Sequence, residues 1–165
     1  MPLRSIPIPT LSPLPGNVAG GFIFLKALIR VVEFAAGRLP FTIRLSMYSA
    51  QVLDHFQNPR NAGEVANADA TAEIENPACG DVLRLTLKAS AGRIVQAQFK
   101  AKGCVAAIAC GSALTELVMG KTLKEAQNVR REDVITAVGG LPQASTHAAQ
   151  LSLDALSTAL SRIRP

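Results

Sequence analysis

The segment that decides the fold reads NPACGDVLRLTLKASAGRIVQAQFKAKGC and covers residues 76–104. Leucines occupy every second position of residues 83–87. The same alternation returns after a Ser-Ala-Gly turn, in three residues that we expect to face the core: Val95, Ala97 and Phe99. A period of two is typical of a strand with one buried face. The segment therefore predicts a β-hairpin, and with it an antiparallel sheet that has one solvated face.

The residues on either side of the hairpin complete the fold prediction. Residues 70–76 read as a further strand, and a short amphipathic helix over residues 48–56 ends at the proline and glycine of residues 58–63. The chain after the hairpin predicts four helices, which are residues 105–119, 122–127, 131–138 and a last one that includes Leu153, Leu156, Leu160 and Ile163. A sheet followed by helices indicates an α+β domain, with a small antiparallel sheet of about three strands and helices packed on one face.

The hairpin also brings potential metal ligands together. Cys79 and Asp81 precede its first strand and Cys104 follows its second, so antiparallel geometry predicts that the three side chains meet at one end of the sheet. Cysteine, aspartate and histidine are ligands for zinc and iron. Cys104 also stands at the start of a helix, which we expect to lower the pKa of its thiol. His147 is a fourth candidate, but periodicity does not place it relative to the others.

Composition and charge exclude several classes of function. The 165 residues carry a formal charge of +5, but residues 1–46 hold five of the basic residues and a single acidic one, a net +4. The rest of the chain is nearly neutral and has no basic face with interleaved aromatic residues, which argues against a nucleic-acid partner. Three cysteines are too few for a disulfide scaffold, and we find no secretory signal. We therefore expect a cytoplasmic protein with free thiols.

The first 46 residues differ from the rest of the chain. Residues 6–16 are rich in proline, which excludes a regular helix or a central strand. The apolar run of residues 18–25 is shorter than the ~20 residues that a membrane-spanning helix needs, so we expect no membrane partner. We expect the domain to span residues 47–165, and residues 1–46 to be a disordered extension or the product of a mis-assigned start. A membrane-surface helix and an organelle transit peptide are the alternatives.

Several motifs, taken in order, resemble those of the U-type iron–sulfur cluster scaffolds, which are the IscU-like proteins and the NifU N-terminal domain. They are Asn-Pro-x-Cys-Gly-Asp at residues 76–81, Gly-Cys before an Ala/Ser-rich helix that ends in Thr-Glu, and Leu141-Pro142 followed by His147. Residues 48–63 are similar to that family's opening helix and loop, so the resemblance covers residues 47–163. It implies an α+β scaffold, without turnover of its own, that assembles a [2Fe–2S] cluster and passes it on.

The resemblance assigns ligand positions to Cys79, Asp81, Cys104 and His147, for a [2Fe–2S] cluster or iron and for zinc in the same site. The family has a third cysteine directly after the histidine, where this chain has Ala148. In the family that cysteine is both a ligand and the preferred acceptor of the incoming persulfide. Sulfur would then have to arrive on Cys104 or Cys79, or as part of a preformed cluster.

The same resemblance implies a set of partners. They are a cysteine desulfurase that delivers sulfur and acceptor apo-proteins that receive the cluster, and a homodimer remains open. The family's chaperone-recognition segment, Leu-Pro-Pro-Val-Lys, keeps its first two residues here, in residues 141–145. This difference argues against chaperone-assisted handover.

Two other classes of function compete with the scaffold. Two cysteines, an aspartate and a histidine complete a tetrahedral zinc site, which would suit a diverged paralogue with a regulatory or docking role. A cysteine-nucleophile enzyme would need a base beside an activated thiol. His147 near Cys104 would meet that need minimally, but no substrate-binding motif accompanies the pair.

Three further residues have simpler interpretations. Cys110 follows Cys104 by six residues, which is ~9 Å of helical rise on a different face, so we expect a core residue and not a ligand. His55, at the end of the first helix, is expected to face solvent. Tyr48 is expected to pack against the domain or to touch a partner.

Overall fold

The structure, a computed structural model, describes residues 47–163. The predicted extension over residues 1–46 lies outside the described residues. The elements, in chain order, are α1 (Ala50–Gln57), β1 (Ala70–Glu75), β2 (Val82–Ser90), β3 (Arg93–Lys102), α2 (Val105–Val118), α3 (Leu123–Gln127), α4 (Arg131–Ala137) and α5 (His147–Arg162). A short 3-10 helix, Gln143–Ser145, leads into α5. No helix within residues 47–163 is long and apolar enough to cross a membrane.

The strands form one antiparallel sheet in the order β1-β2-β3, which confirms the predicted hairpin and the α+β fold. Ala91 and Gly92 make the turn between β2 and β3, and both have positive φ angles, 50° and 72°. Two successive residues with positive φ give the tight turn whose twist matches that of a hairpin. Glycine adopts this conformation at no steric cost, so Gly92 itself favours formation of the hairpin turn.

One residue of β3 faces the opposite way from its prediction. The β2–β3 register shifts between Lys88 and Ala89, and Ala89 pairs with Ile94. Val95 is therefore the extra residue of a β-bulge. It is 48% exposed, whereas Ile94 is buried. The prediction that Val95 faces the core is wrong because a bulge shifts the alternation of side chains by one residue.

The core lies between the inner face of the sheet and the helices. Leu83, Leu85 and Leu87 of β2 are fully buried, as the alternation predicts. Helices α2 and α5 pack on this face. Helix α2 lies close to β3 at Gly111. A Cβ added to this residue would lie only 2.6 Å from the ring of Phe99.

The outer face of the sheet is less solvated than predicted. Thr86 is only 3% exposed, because the chain before β1 crosses it and Val65 N–H donates to Thr86 Oγ1 (3.0 Å). Exposed ion pairs occupy much of the remainder, such as those of Glu64 with Arg84 and Lys100, both at 2.9 Å. Ion pairs of this kind contribute little to stability.

Candidate metal-binding site

The loop between β1 and β2 holds Cys79 at the end of the sheet opposite the hairpin turn. Asn76 N–H donates to Asp81 O (2.8 Å), and Asn76 O accepts from Gly80 N–H (2.8 Å), so the ends of the loop are joined. The Asn76 side chain accepts a further bond from Ala78 N–H (2.9 Å), which is an Asx turn. The loop is thus fixed by its own backbone, and Cys79 is exposed at its tip.

Asp81 lies across the sheet from Gly103, since the neighbouring pair in the register is Val82 with Lys102. Its Oδ1 accepts a hydrogen bond from Cys104 N–H (3.0 Å). A Cβ at position 103 would lie 2.5 Å from this oxygen, so the carboxylate can occupy its position only beside a glycine. The predicted proximity of Asp81 and Cys104 is confirmed, and Gly103 is the residue that permits it.

His147 is the first residue of α5, and it lies at the same corner. Its Nε2 is 3.9 Å from Asp81 Oδ2, and one ligand atom from each of Cys79, Asp81 and His147 lies within 4.8 Å of the others. A separation of 3.9 Å is too long for a hydrogen bond. It is shorter than the ~4.2 Å that two zinc–ligand bonds of ~2.1 Å span end to end, so one ion can contact both atoms.

The most unusual atom of the site is Oδ2 of the Asp81 carboxylate. Asp81 is 4% exposed, and its Oδ2 is buried without a hydrogen-bond partner within the described residues. A buried carboxylate oxygen costs free energy unless it is paired, so an orphan of this kind requires an explanation. A cation would remove the cost, and the sulfur, nitrogen and oxygen donors around it suit zinc or iron. The residues present therefore fit a metal ion or cluster.

Cys104 adjoins the Asp81 carboxylate but is not among the three converging ligands. It is the N-cap of α2 and is half-buried, and its sulfur does not belong to the group within 4.8 Å. The prediction that the thiol of Cys104 has a lowered pKa is wrong in its net direction. Burial raises the pKa of the Cys104 thiol, and the adjacent Asp81 carboxylate adds to the rise. The N–H groups of Ala107 and Ala106 oppose this rise without reversing it.

Cys110 and His55 lie outside the site. Cys110 is fully buried in the core, as predicted, and burial raises the pKa of its thiol to about 12. The prediction that His55 faces solvent is wrong, since it is 8% exposed. Its Nδ1 lies 2.9 Å from Ser112 Oγ of α2. His55 follows the buried Val52 by three residues and so shares its helix face.

A family model, the NifU-like N terminal domain, matches residues 47–164. The match includes every element of the structure and all four of the candidate ligands. The chain belongs to this family.

Sequence relatives carry related names. The chain is 45% identical over 114 residues to iron-sulfur cluster assembly scaffold protein IscU 1 of Archaeoglobus fulgidus, which covers 69% of this chain and 74% of the relative. It is 41% identical over 115 residues to the protein named IscU of Aquifex aeolicus, with 68% and 73% covered. Nitrogen fixation protein NifU of Cereibacter sphaeroides is 46% identical over 112 residues, but the match covers only 46% of that protein.

A solved structure confirms the fold. The putative iron-sulfur cluster assembly scaffold protein for the SUF system from Fervidobacterium islandicum superposes with a TM-score of 0.58 at 22% sequence identity. The superposition covers 70% of this chain and 97% of that one. At this identity the likeness supports the α+β architecture and nothing finer.

Proposed function

We propose that this chain is a scaffold that assembles a [2Fe–2S] cluster at the corner formed by Cys79, Asp81, Cys104 and His147, and then passes it to acceptor proteins. The observation that carries the proposal is the convergence of one ligand atom each from Cys79, Asp81 and His147, at a corner where Asp81 Oδ2 is buried without a hydrogen-bond partner within the described residues. Membership of the NifU-like family supports it, as do the relatives that are named iron–sulfur cluster assembly scaffolds.

The mixture of thiolate, carboxylate and imidazole ligands suits a cluster that is later released to an acceptor protein. Thiolates bind iron tightly, whereas a carboxylate and an imidazole are harder and more easily exchanged ligands. Cys79 is exposed at the loop tip, so one edge of the cluster would face solvent and a docking acceptor. Asp81 is fixed by Cys104 N–H, so the carboxylate would stay in place while the cargo arrives and departs.

Cys79 is also the accessible thiol for sulfur delivery, since the family's usual acceptor position is occupied by the buried Ala148. In this proposal a cysteine desulfurase presents a persulfide. The Cys79 thiolate attacks its terminal sulfur, which transfers to Cys79 and releases the desulfurase thiolate. The exposed Cys79 thiol would require a reducing compartment such as the cytoplasm.

Anaerobic reconstitution of the full chain with ferrous iron and sulfide tests the scaffold directly. We expect the visible absorption and Mössbauer signature of a [2Fe–2S] cluster in the native chain, and its loss in Cys79→Ala and in Cys104→Ala. Cys110→Ala is the matched control, because that thiol is buried in the core and should leave the signal unchanged. A native chain that forms no cluster would reject the proposal.

A zinc-binding role is the second candidate, and one observation favours it. The sulfur of Cys79, an oxygen of Asp81 and a nitrogen of His147 lie close enough to hold a single ion, whereas the Cys104 sulfur lies outside that group. Three protein ligands with one open position are typical of a zinc site that also binds another molecule. Zinc added as a competitor during reconstitution separates the two roles, because tight zinc uptake without any cluster would favour a diverged paralogue.

A further inference from the structure

Two long-range hydrogen bonds tie the chain before His147 to the residues that open α1. We call residues 138–146 the α4–α5 connection. Tyr48 Oη and Ser145 Oγ lie 3.1 Å apart, in a hydrogen bond in which either hydroxyl can donate. Ser49 Oγ donates to Val138 O (2.5 Å). Both ends of the α4–α5 connection are therefore held by neighbouring residues of a segment 89 or more positions away.

The start of α5 is not fixed by a cap of its own. Thr146 is its N-cap but makes no capping bond from its side chain. The Thr146 hydroxyl instead donates backwards to Gln143 O (2.9 Å). The first N–H groups of a helix have no partner within the helix, and without a capping side chain the first turn opens more readily. The position of His147 therefore depends on what holds the residues before it.

The path from Ser145 to His147 is short and helical. Thr146 has α-helical backbone angles (φ −64°, ψ −22°), so the 3-10 helix runs into α5 without an extended residue between them. Thr146 N–H donates to Gln143 O (3.4 Å), and Ala149 N–H donates to Thr146 O (3.2 Å). Ser145 is covalently continuous with this helical segment, so a displacement of Ser145 reaches the first turn of α5 through Thr146.

We propose that Tyr48 is a positioning residue for the metal site, and that its hydroxyl, through Ser145, holds the first turn of α5 so that His147 faces Asp81. This proposal rests on the proposed function. The Tyr48 ring packs against the core, as expected, together with Leu141. The ring therefore contributes to stability, whereas the hydroxyl bond acts on the position of His147, and substitution can separate the two roles.

The first test uses the full chain without metal and three variants: Tyr48→Phe, Ser145→Ala and the double substitution. Each single variant should accelerate amide hydrogen exchange at Ala149, measured by NMR, and the double variant should exchange no faster than either single one. The amide of Ile163, which donates to Leu160 O (3.2 Å) at the other end of α5, should keep its native rate. Unchanged exchange at Ala149 in Tyr48→Phe would overturn the proposal.

The second test measures the affinity of the same proteins for Co²⁺ by titration of its visible absorption. We expect a roughly 10-fold weaker affinity in Tyr48→Phe and in Ser145→Ala, as is typical when a residue that orients a ligand is lost. Thr122→Ala is the control, because it removes the capping box of α3 and lowers stability away from the site. If this control weakens Co²⁺ binding as much as Tyr48→Phe does, the role of Tyr48 is merely structural and the proposal fails.

The two tests distinguish this proposal from the proposed function. A native chain that binds neither Co²⁺ nor a cluster would reject the metal site and the positioning role together. Normal binding in Tyr48→Phe, with a native chain that binds well, would reject the positioning role alone.

Discussion

The two ends of the sheet are built in different ways. At the hairpin end, Ala91 and Gly92 connect two strands that are adjacent in sequence, and their backbone angles are those of a tight turn. At the site end, the loop at residues 76–81, the Gly103-Cys104 step and the start of α5 come from distant parts of the chain. The first end is specified locally, whereas the second exists only when the tertiary structure has formed.

The ends also differ in how well their polar groups are satisfied. Asp81 Oδ2 at the site end is buried without a partner, which costs stability in the metal-free protein. A bound ligand can remove such a cost in stability. Functional sites are therefore the places where predictions of structure from sequence patterns are expected to fail. The difference supports the proposal that the residues of the site end are arranged to bind a ligand, whereas those of the hairpin end serve the fold alone.

Asp81→Asn should produce the largest effect. The amide keeps an oxygen that can accept from Cys104 N–H, but the anionic ligand is lost. We expect metal affinity to fall by roughly 100-fold or more, since even outer-shell substitutions cost 10–100-fold. The metal-free protein should become more stable, because a neutral amide costs less free energy to bury than a carboxylate. Isothermal titration with Zn²⁺ and urea unfolding measure the two effects, and a loss of both affinity and stability would contradict this account.

Gly103→Ala and Gly92→Ala compare the two ends directly. An added Cβ at position 103 would lie 2.5 Å from Asp81 Oδ1, whereas nothing lies within 4 Å of one at position 92. We expect Gly103→Ala to displace the carboxylate and weaken Zn²⁺ binding by roughly 10-fold. Gly92→Ala should cost about 1–2 kcal/mol of stability through its positive φ and leave Zn²⁺ binding unchanged. Equal Zn²⁺ affinities in the two variants would show that the close approach at Gly103 is unimportant.

Ala148→Cys would add to the site end the thiol that the resemblance described above implies at this position. Ala148 is fully buried at the second position of α5, so a small cost in stability accompanies the extra sulfur atom. Desulfurase-dependent cluster formation, followed by visible absorption, should rise several-fold. No change in that rate would show that sulfur reaches this site by another route.

His55 lies away from both ends and should give the smallest effect. Burial lowers the pKa of its imidazole, and the charge of Arg60 adds to this. A histidine that is harder to protonate when folded contributes stability above its unfolded pKa of about 6.5, and that contribution is lost as the pH falls below it. Urea unfolding at about pH 7.5 and pH 5.5 should show a smaller loss in His55→Gln than in the native chain. An equal loss in both proteins would exclude His55 as the group responsible.

The sequence predicted the fold where interactions are local or periodic. Alternation in residues 83–87 gave the strand, and antiparallel pairing placed Asp81 near Cys104. Val95 was misplaced because a bulge has no signature in the alternation itself. The predicted direction of the Cys104 pKa shift was wrong. The sequence shows that a helix starts at Cys104, but it does not show that the thiol is buried, and burial has the larger effect.

The importance of Gly103 was predictable but was missed. The hairpin register places position 103 opposite Asp81, and a side chain there must compete with the carboxylate for space. The hydrogen bond of Tyr48 to Ser145 has no such signal, because 97 residues separate the two hydroxyls. Contacts of that kind depend on the packing of whole helices, which no local pattern describes.

The three cysteines also make the chain a reporter of its own unfolding. Cys79 is exposed, Cys104 is half-buried and Cys110 is buried, with the pKa of the Cys110 thiol raised to about 12. Alkylating reagents attack thiolates that they can reach, so a timed pulse should label Cys79 first and Cys104 more slowly. Cys110 is labelled when the core opens, and the mass of the chain after each pulse therefore measures how often a molecule unfolds.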